Sequence, residues 1–253
     1  MKVLPIPAFY DNYIWLIIDE KKQQAFCVDP GDAKPVFSYL QQNQLKLSAI
    51  ILTHHHDDHI GGTEELIKVN PGIPVFGPED QRIPQVTHYL KNAEEFYINQ
   101  CHFIVISTPG HTSTHISLYE PHYGWLFCGD TLFSAGCGRV FDGSIEALYD
   151  SLQKLKDLPE ETKVFCAHEY TEKNLRFAAM VEPNNLAIRH DVNQFVTKEN
   201  LCSLPSSIKI EKQINPFLRT ETAEVQHYVN FRGNITRDAL TIFKQIRKDK
   251  DHF

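Results

Sequence analysis

Six consecutive positions, His54-His55-His56-Asp57-Asp58-His59, hold four imidazoles and two carboxylates, and only Thr53 separates them from the apolar run 48–52. That density of titratable groups constrains the fold more than any other stretch of the chain. Imidazoles and carboxylates packed at the end of a buried strand are costly without partners, because each loses its water. A divalent cation supplies a partner, and a fold that uses one must bring further ligands to the same strand end. A solvated polar loop would carry a similar run, and histidine-rich tracts also scavenge metal incidentally. The internal position of this run argues against a tag.

Three more residues occupy the same kind of place. His111 in Thr108-Pro109-Gly110-His111-Thr112, Asp130 in Cys128-Gly129-Asp130 and His168 in Cys166-Ala167-His168-Glu169-Tyr170 each follow an apolar, strand-like run. Any one of them alone reads as an ordinary hydrogen-bonded residue. Strand ends at one edge of a sheet converge, so together with the run at 54–59 they predict a metal centre. Imidazole and carboxylate donors without thiolates suit zinc, iron or manganese.

Short β-branched and aromatic runs at 13–18, 25–28, 48–52, 103–107, 115–119, 125–128 and 164–167 read as buried strands. Helical periodicity appears at 33–42, 62–69 and 145–155, the last with Ser144 as N-cap. Strands and helices in this proportion predict a layered α/β or α+β body. After His168 the strand signal fades and 174–180, 185–196 and 236–248 look helical, which places a boundary near Tyr170. The stretch 197–216, with Pro205, two adjacent serines and Pro216, reads as a connector between helices of this tail.

Charge and composition exclude several classes of function. A formal net charge of −7 leaves no broad electrostatic footprint for nucleic acid, so an anionic ligand needs a local cluster of cations. No run approaches the ~18–20 apolar residues of a membrane span, and the apolar run 13–18 is too short for a secretory signal. Of the six cysteines, Cys27, Cys128 and Cys166 sit inside apolar runs and no C-x-x-C pair occurs, as in a reducing compartment. The expected protein is a cytoplasmic monomer with no membrane or nucleic-acid partner.

The spacing His54-x-His56-x-Asp58-His59, followed in order by His111, Asp130 and His168, resembles the metal signature of the metallo-β-lactamase superfamily. That resemblance implies an α+β fold, the four-layer αβ/βα sandwich, with the site at one edge. It implies His54, His56 and His111 on one metal, Asp58, His59 and His168 on a second, and Asp130 bridging. The cofactors implied are two divalent ions, zinc first, with iron or manganese as alternatives. His55 and Asp57 are not ligands in that pattern.

The closer resemblance is to the glyoxalase II, or hydroxyacylglutathione hydrolase, family, and it covers nearly the whole chain. Asp11-Asn12-Tyr13-Ile14-Trp15, Ala135-Gly136-Cys137-Gly138-Arg139, His168-Glu169-Tyr170-Thr171 and Arg247-Lys248-Asp249-Lys250-Asp251-His252-Phe253 carry it. It implies a catalytic domain over 1–170 and a helical glutathione-binding domain over 171–253. Arg139, Phe141, Tyr170, Arg247 and Lys250 map to the residues that hold glutathione in that family. The chain departs from it at Phe141, where relatives often carry a tyrosine and its hydroxyl.

The implied reaction is hydrolysis of an S-2-hydroxyacylglutathione thioester such as S-lactoylglutathione, the second step of methylglyoxal detoxification. The expected nucleophile is a hydroxide shared by the metals and held by Asp130 and Asp58, with no protein nucleophile. Metal binding lowers the pKa of water from 15.7 toward about 7, and a thiol of pKa about 8.5 leaves with little acid assistance. Sparse cations such as Arg139, Arg247 and Lys250 would offset the general repulsion of the two glutathione carboxylates. The principal rival is a mononuclear iron glutathione-persulfide dioxygenase of the same superfamily. A metal-storage module would have no use for a glutathione grip.

Overall fold

The computed structural model describes residues 1–197, 202–231, 233 and 235–253. The chain forms two compact units, Met1–Ser107 with Thr114–Gly129 and Thr108–Ser113 with Asp130–Phe253.

The first unit opens with three antiparallel strands, β1 (Lys2–Ala8), β2 (Asn12–Asp19) and β3 (Gln24–Val28). β2 is buried along its whole length, which explains its unbroken apolar reading. β1 has no counterpart in the sequence-based assignment because Pro5 and Pro7 interrupt its pattern; as the edge of the sheet it tolerates both. Helix α1 (Ala33–Gln42) then crosses over so that β4 (Lys46–Ile51) runs parallel to β3. Asp32 caps α1 by accepting from the Lys34 amide, and Ala33, Val36 and Leu40 line its buried face.

Two short helices follow, α2 (Asp57–Ile60) and α3 (Thr63–Val69). β5 (Val75–Pro78) and β6 (His88–Leu90) extend the parallel part of the sheet, giving the order β1-β2-β3-β4-β5-β6. β7 (Glu95–Ile98), β8 (Cys101–Ser107), β9 (Ile116–Glu120) and β10 (Trp125–Gly129) are antiparallel neighbours in sequence order. The core of this unit gathers Leu16, Ile18, Cys27, Val36, Ile50 and Leu66. A fully buried leucine or isoleucine contributes roughly 1.5–3 kcal/mol relative to exposure. Because β3, β4 and β5 run in one direction, Asp29, Thr53-His54 and Asp80 all emerge at the same carboxyl edge.

The second unit begins its continuous part with the small hairpin β11 (Leu132–Phe133) and β12 (Gly136–Cys137). Helix α4 (Ile145–Lys156) starts at the expected cap, Ser144 accepting from the Ala147 amide, and buries Leu148, Leu152 and Leu155. β13 (Lys163–Cys166), α5 (Thr171–Val181) and α6 (Leu186–Thr197) follow.

The tail corrects one expectation. Within 197–216, read from sequence as a connector, lie β14 (Ser206–Ser207), paired with β13, and α7 (Ile208–Ile214); residues 198–201 lie outside the described ones. Ser207 caps α7, and Ile208, Glu211 and Ile214 form its buried face. Its brevity and the preceding proline and serines concealed that periodicity. A 3-10 turn (Pro216–Leu218), α8 (Ala223–Phe231) and α9 (Ala239–Asp251) complete the chain. Ala135, Leu175, Ala178, Ile188 and Ile214 pack together, and Phe217 joins Phe177 to Phe243 through ring contacts.

Candidate metal centre

The first unit holds four of the seven expected ligands. β4 delivers Thr53 and His54, and the chain turns into α2 with His56 at its cap and Asp58 and His59 inside it. His54 Nε2 and His56 Nδ1 face each other at 3.1 Å. Two nitrogens aimed at one point suit a shared cation better than two ring donors would suit each other.

The outer partners fix which ring nitrogen each histidine presents. Thr53 donates its hydroxyl to Asp29 Oδ2 at 2.7 Å, so its oxygen accepts from His54 Nδ1 at 3.0 Å and leaves Nε2 as the ligand atom. His59 Nδ1 donates to the same Asp29 oxygen at 3.0 Å, which again directs Nε2 inward, 3.4 Å from Asp58 Oδ2. Asn12 donates to that Asp58 oxygen at 2.8 Å. His55 instead turns Nδ1 toward Asp80, at 3.7 Å. Gly31 makes the close approach possible, since a Cβ there would stand 1.9 Å from the Asp58 carbonyl oxygen.

Asp29 is the functional residue that the sequence reading missed. It is buried directly after β3 with a positive φ of 53°, and it also accepts from the Thr53 amide at 2.8 Å. Although its carboxylate stands close to His54 and His59 in a group of metal-ligand type, its oxygens are already taken by the Thr53 and His59 donors. It therefore orients ligands. The available signal was an aspartate at the end of an apolar strand, before Pro30-Gly31. Asp29→Asn should weaken metal binding by about 10–100-fold, the usual cost of losing such a partner. Metal titration of the chelated protein measures this; wild-type affinity in the variant would remove the role.

The second unit brings together the other three. Asp130 presents Oδ2 to His111 Nε2 and Oδ1 to His168 Nε2, each at 3.4 Å. His111 Nδ1 donates to the Arg139 carbonyl at 2.8 Å, and because a carbonyl only accepts, Nε2 is the atom that this ring presents as a ligand. A Cβ on Gly138 would lie 2.0 Å from the Asp130 carbonyl oxygen, so only glycine lets this turn pass the site. Each unit thus contains a cluster of histidine and aspartate whose inward donors suit a divalent cation, and together they offer ligands for two.

All five residues expected to hold substrate lie in the second unit. Tyr170 stacks on His168 with ring centroids 4.8 Å apart, and exposed Phe141 meets His111 edge-on at 5.1 Å. Arg139 is exposed and ion-paired with Asp251. Arg247 is buried; it donates to the Cys137 carbonyl at 2.9 Å and lies over the Phe217 ring. Lys250 donates to the Lys173 carbonyl at 3.2 Å. Burial, helped by repulsion from Arg247 and Lys173, pushes the Lys250 ammonium down to about 8.

The loop between Asp130 and Arg139 is secured from α7. Glu211 accepts from the Ala135 amide at 2.9 Å, and Asn215 donates to the carbonyls of Phe133 and Gly136. Burial raises the Glu211 carboxyl to about 7, with hydrogen bonds from Ser206 and Asn215 opposing the rise.

Residues 10–168 match the model of the metallo-beta-lactamase superfamily, and residues 169–253 match that of the hydroxyacylglutathione hydrolase C-terminus. A hydroxyacylglutathione hydrolase of Legionella pneumophila (strain Corby) is 53% identical over the full length of both chains. One of Vibrio vulnificus (strain CMCP6) is 46% identical, again over both entire chains. Among solved structures, ETHE1 from Myxococcus xanthus superposes with a TM-score of 0.67 at 26% identity, covering 96% of this chain and 95% of that one. The fold is thus the αβ/βα metallo-β-lactamase fold with a C-terminal helical extension.

Proposed function

Because the chain belongs to the hydroxyacylglutathione hydrolase family of the metallo-β-lactamase superfamily, we propose that His54, His56 and His111 hold one metal ion, Asp58, His59 and His168 a second, and Asp130 both. The chain is a binuclear metal-dependent hydrolase of S-hydroxyacylglutathione thioesters, which favours this reading over the dioxygenase alternative. The observation that carries the ligand assignment is Asp130, whose two oxygens each face a different imidazole nitrogen. Zinc is the ion we assign first, with iron and manganese as alternatives that the same imidazole and carboxylate donors suit.

Two bound metals supply Lewis acidity and a water acidified toward neutral pH. The protein's own part is orientation. Asp29 and the Arg139 carbonyl set the tautomers of His59 and His111, and Asn12 steadies Asp58. Arg139, Tyr170, Arg247 and Lys250 grip glutathione, with Phe141 giving an apolar flank and no hydroxyl. With Lys250 held down to about 8, its ammonium is mostly charged at neutral pH and is lost in alkali, where Arg139 and Arg247 remain cationic.

We assign a catalytic domain to 1–170, which also carries Arg139, Phe141 and Tyr170 of the grip, and a helical glutathione-binding domain with Arg247 and Lys250 to 171–253, a division close to the junction of the two family models at 168 and 169. A reducing, cytoplasmic setting fits six cysteines of which five are buried, and no helix among the described residues is long and apolar enough to cross a membrane. The proposed working form is a monomer that binds neither nucleic acid nor membrane.

The test follows thioester absorbance of S-lactoylglutathione with untagged protein, before and after chelation, with oxygen uptake on glutathione persulfide recorded in parallel. Thioester loss should be abolished by chelator, restored by zinc and accompanied by no oxygen uptake. Oxygen consumption with an inert thioester would overturn the reading.

A further inference from the structure

We propose that Asp251 is a specificity-determining positioning residue, which holds the Arg139 guanidinium in the posture that receives a carboxylate of the glutathione moiety. This rests on the reading that Arg139 faces glutathione.

Asp251 is the last residue of α9, where exposed backbone carbonyls disfavour a carboxylate. Its helical partner Arg247 lies four residues earlier, the less favourable order for such a pair. Helix stability therefore does not account for an aspartate here.

The arginines do. Asp251 Oδ1 accepts from Arg139 Nε and from Arg247 Nη2, each at 3.0 Å, and the Asp251 backbone carbonyl accepts from Arg139 Nη2 at 3.3 Å. Arg247 is only 5% exposed and anchored on the Cys137 carbonyl and the Phe217 ring. A continuous support runs from the core through Arg247 and Asp251 to Arg139, whose side chain is 61% exposed.

Without it Arg139 would be a long, solvated side chain of many rotamers, and a ligand would have to order it on binding. With it, the Nε–Nη2 edge of the planar fork is occupied, and Nη1 takes no part in that contact. A fork so fixed is matched to a carboxylate, which is the group glutathione offers and a small neutral thiol does not. Asp251 repels a ligand carboxylate as well, so its effect on affinity is the difference between pre-ordering and repulsion, and the shared bond to both arginines favours pre-ordering.

Steady-state kinetics of Asp251→Ala and Arg139→Ala, each with S-lactoylglutathione and with the lactoyl thioester of N-acetylcysteamine, test this. For Asp251→Ala, KM for the glutathione thioester should rise about tenfold, the equivalent of ordering one long side chain at binding. Its kcat should stay within about twofold and kcat/KM for the neutral thioester should not change. Asp251→Asn, which keeps an acceptor oxygen, should recover part of the loss. An unchanged or lowered KM in Asp251→Ala while Arg139→Ala raises it overturns the proposal, as does an equal loss on the neutral thioester. If Arg139→Ala also leaves KM unchanged, the grip assignment itself falls.

Discussion

Replacing Asp130 with alanine should remove metal and activity together. The side chain is 9% exposed and stands between His111 Nε2 and His168 Nε2, with one oxygen toward each. Removing it leaves two buried imidazoles facing a gap and takes away the negative charge that would offset two dications. Loss of a ligand's outer partner alone costs about 10–100-fold, so loss of this group should lower kcat/KM by more than about 100-fold. Asp130→Asn keeps the shape but not the charge and should fall between. Metal content per chain, kcat/KM and Tm of the chelated proteins are the three readings needed. Full turnover at unchanged metal content would sink the bridging role.

The largest expected loss of stability lies far from the chemistry, at Arg219→Ala. Arg219 embraces the Glu182 carboxylate through Nε at 2.9 Å and Nη2 at 2.9 Å, and its Nη1 donates to the Lys212 carbonyl at 2.9 Å. One guanidinium thereby ties the end of α5 to α7 and to the 3-10 turn. The Glu182 side chain is fully buried, whereas that of Arg219 is 23% exposed. Breaking a buried pair costs about 3–5 kcal/mol, because the survivor is left charged and dry. The burial difference gives the two single variants different costs: Arg219→Ala strands a buried carboxylate that keeps the Thr222 hydroxyl at 3.5 Å, while Glu182→Ala leaves an arginine that already reaches water. Urea unfolding of both variants should place Arg219→Ala below Glu182→Ala. Losses under about 1 kcal/mol in both, the range of surface pairs, would mean that the pair does not lock the helices.

Much of this organisation was legible because it depends on local pattern. Helix α1 spans 33–42 in both the reading and the structure, and Ser144 caps α4 as its spacing implied. The ligand candidates stood out because six titratable residues after an apolar strand have few explanations. What escaped notice depends on groups distant in sequence. Asp29 lies 30 residues from His59 and 24 from Thr53, so its role exists only once β3 and β4 are paired. Asp251 meets Arg139 across 112 residues. Arg247, which the family resemblance alone singles out in a tail of mixed charge, is in addition buried and donates to the Gly-Cys-Gly turn. β1 and α7 were hidden by prolines and brevity, signals that mark loops unless the sheet edge or the cap is known.

The two prolines of β1 bear on how the molecule behaves in a crowd. Pro5 and Pro7 share one parity along the strand, opposite Trp15 and Tyr13 of β2. An imide nitrogen has nothing to donate, so the amides missing at these positions are missing from the open side of the strand. A free sheet edge with regular donors recruits other chains into extended ladders. Here two successive donors of that edge are absent, and a visiting strand would find its carbonyls unanswered. Substitutions that make β1 a better strand by the usual propensities, such as valine at both positions, would restore those donors and make the enzyme prone to aggregate.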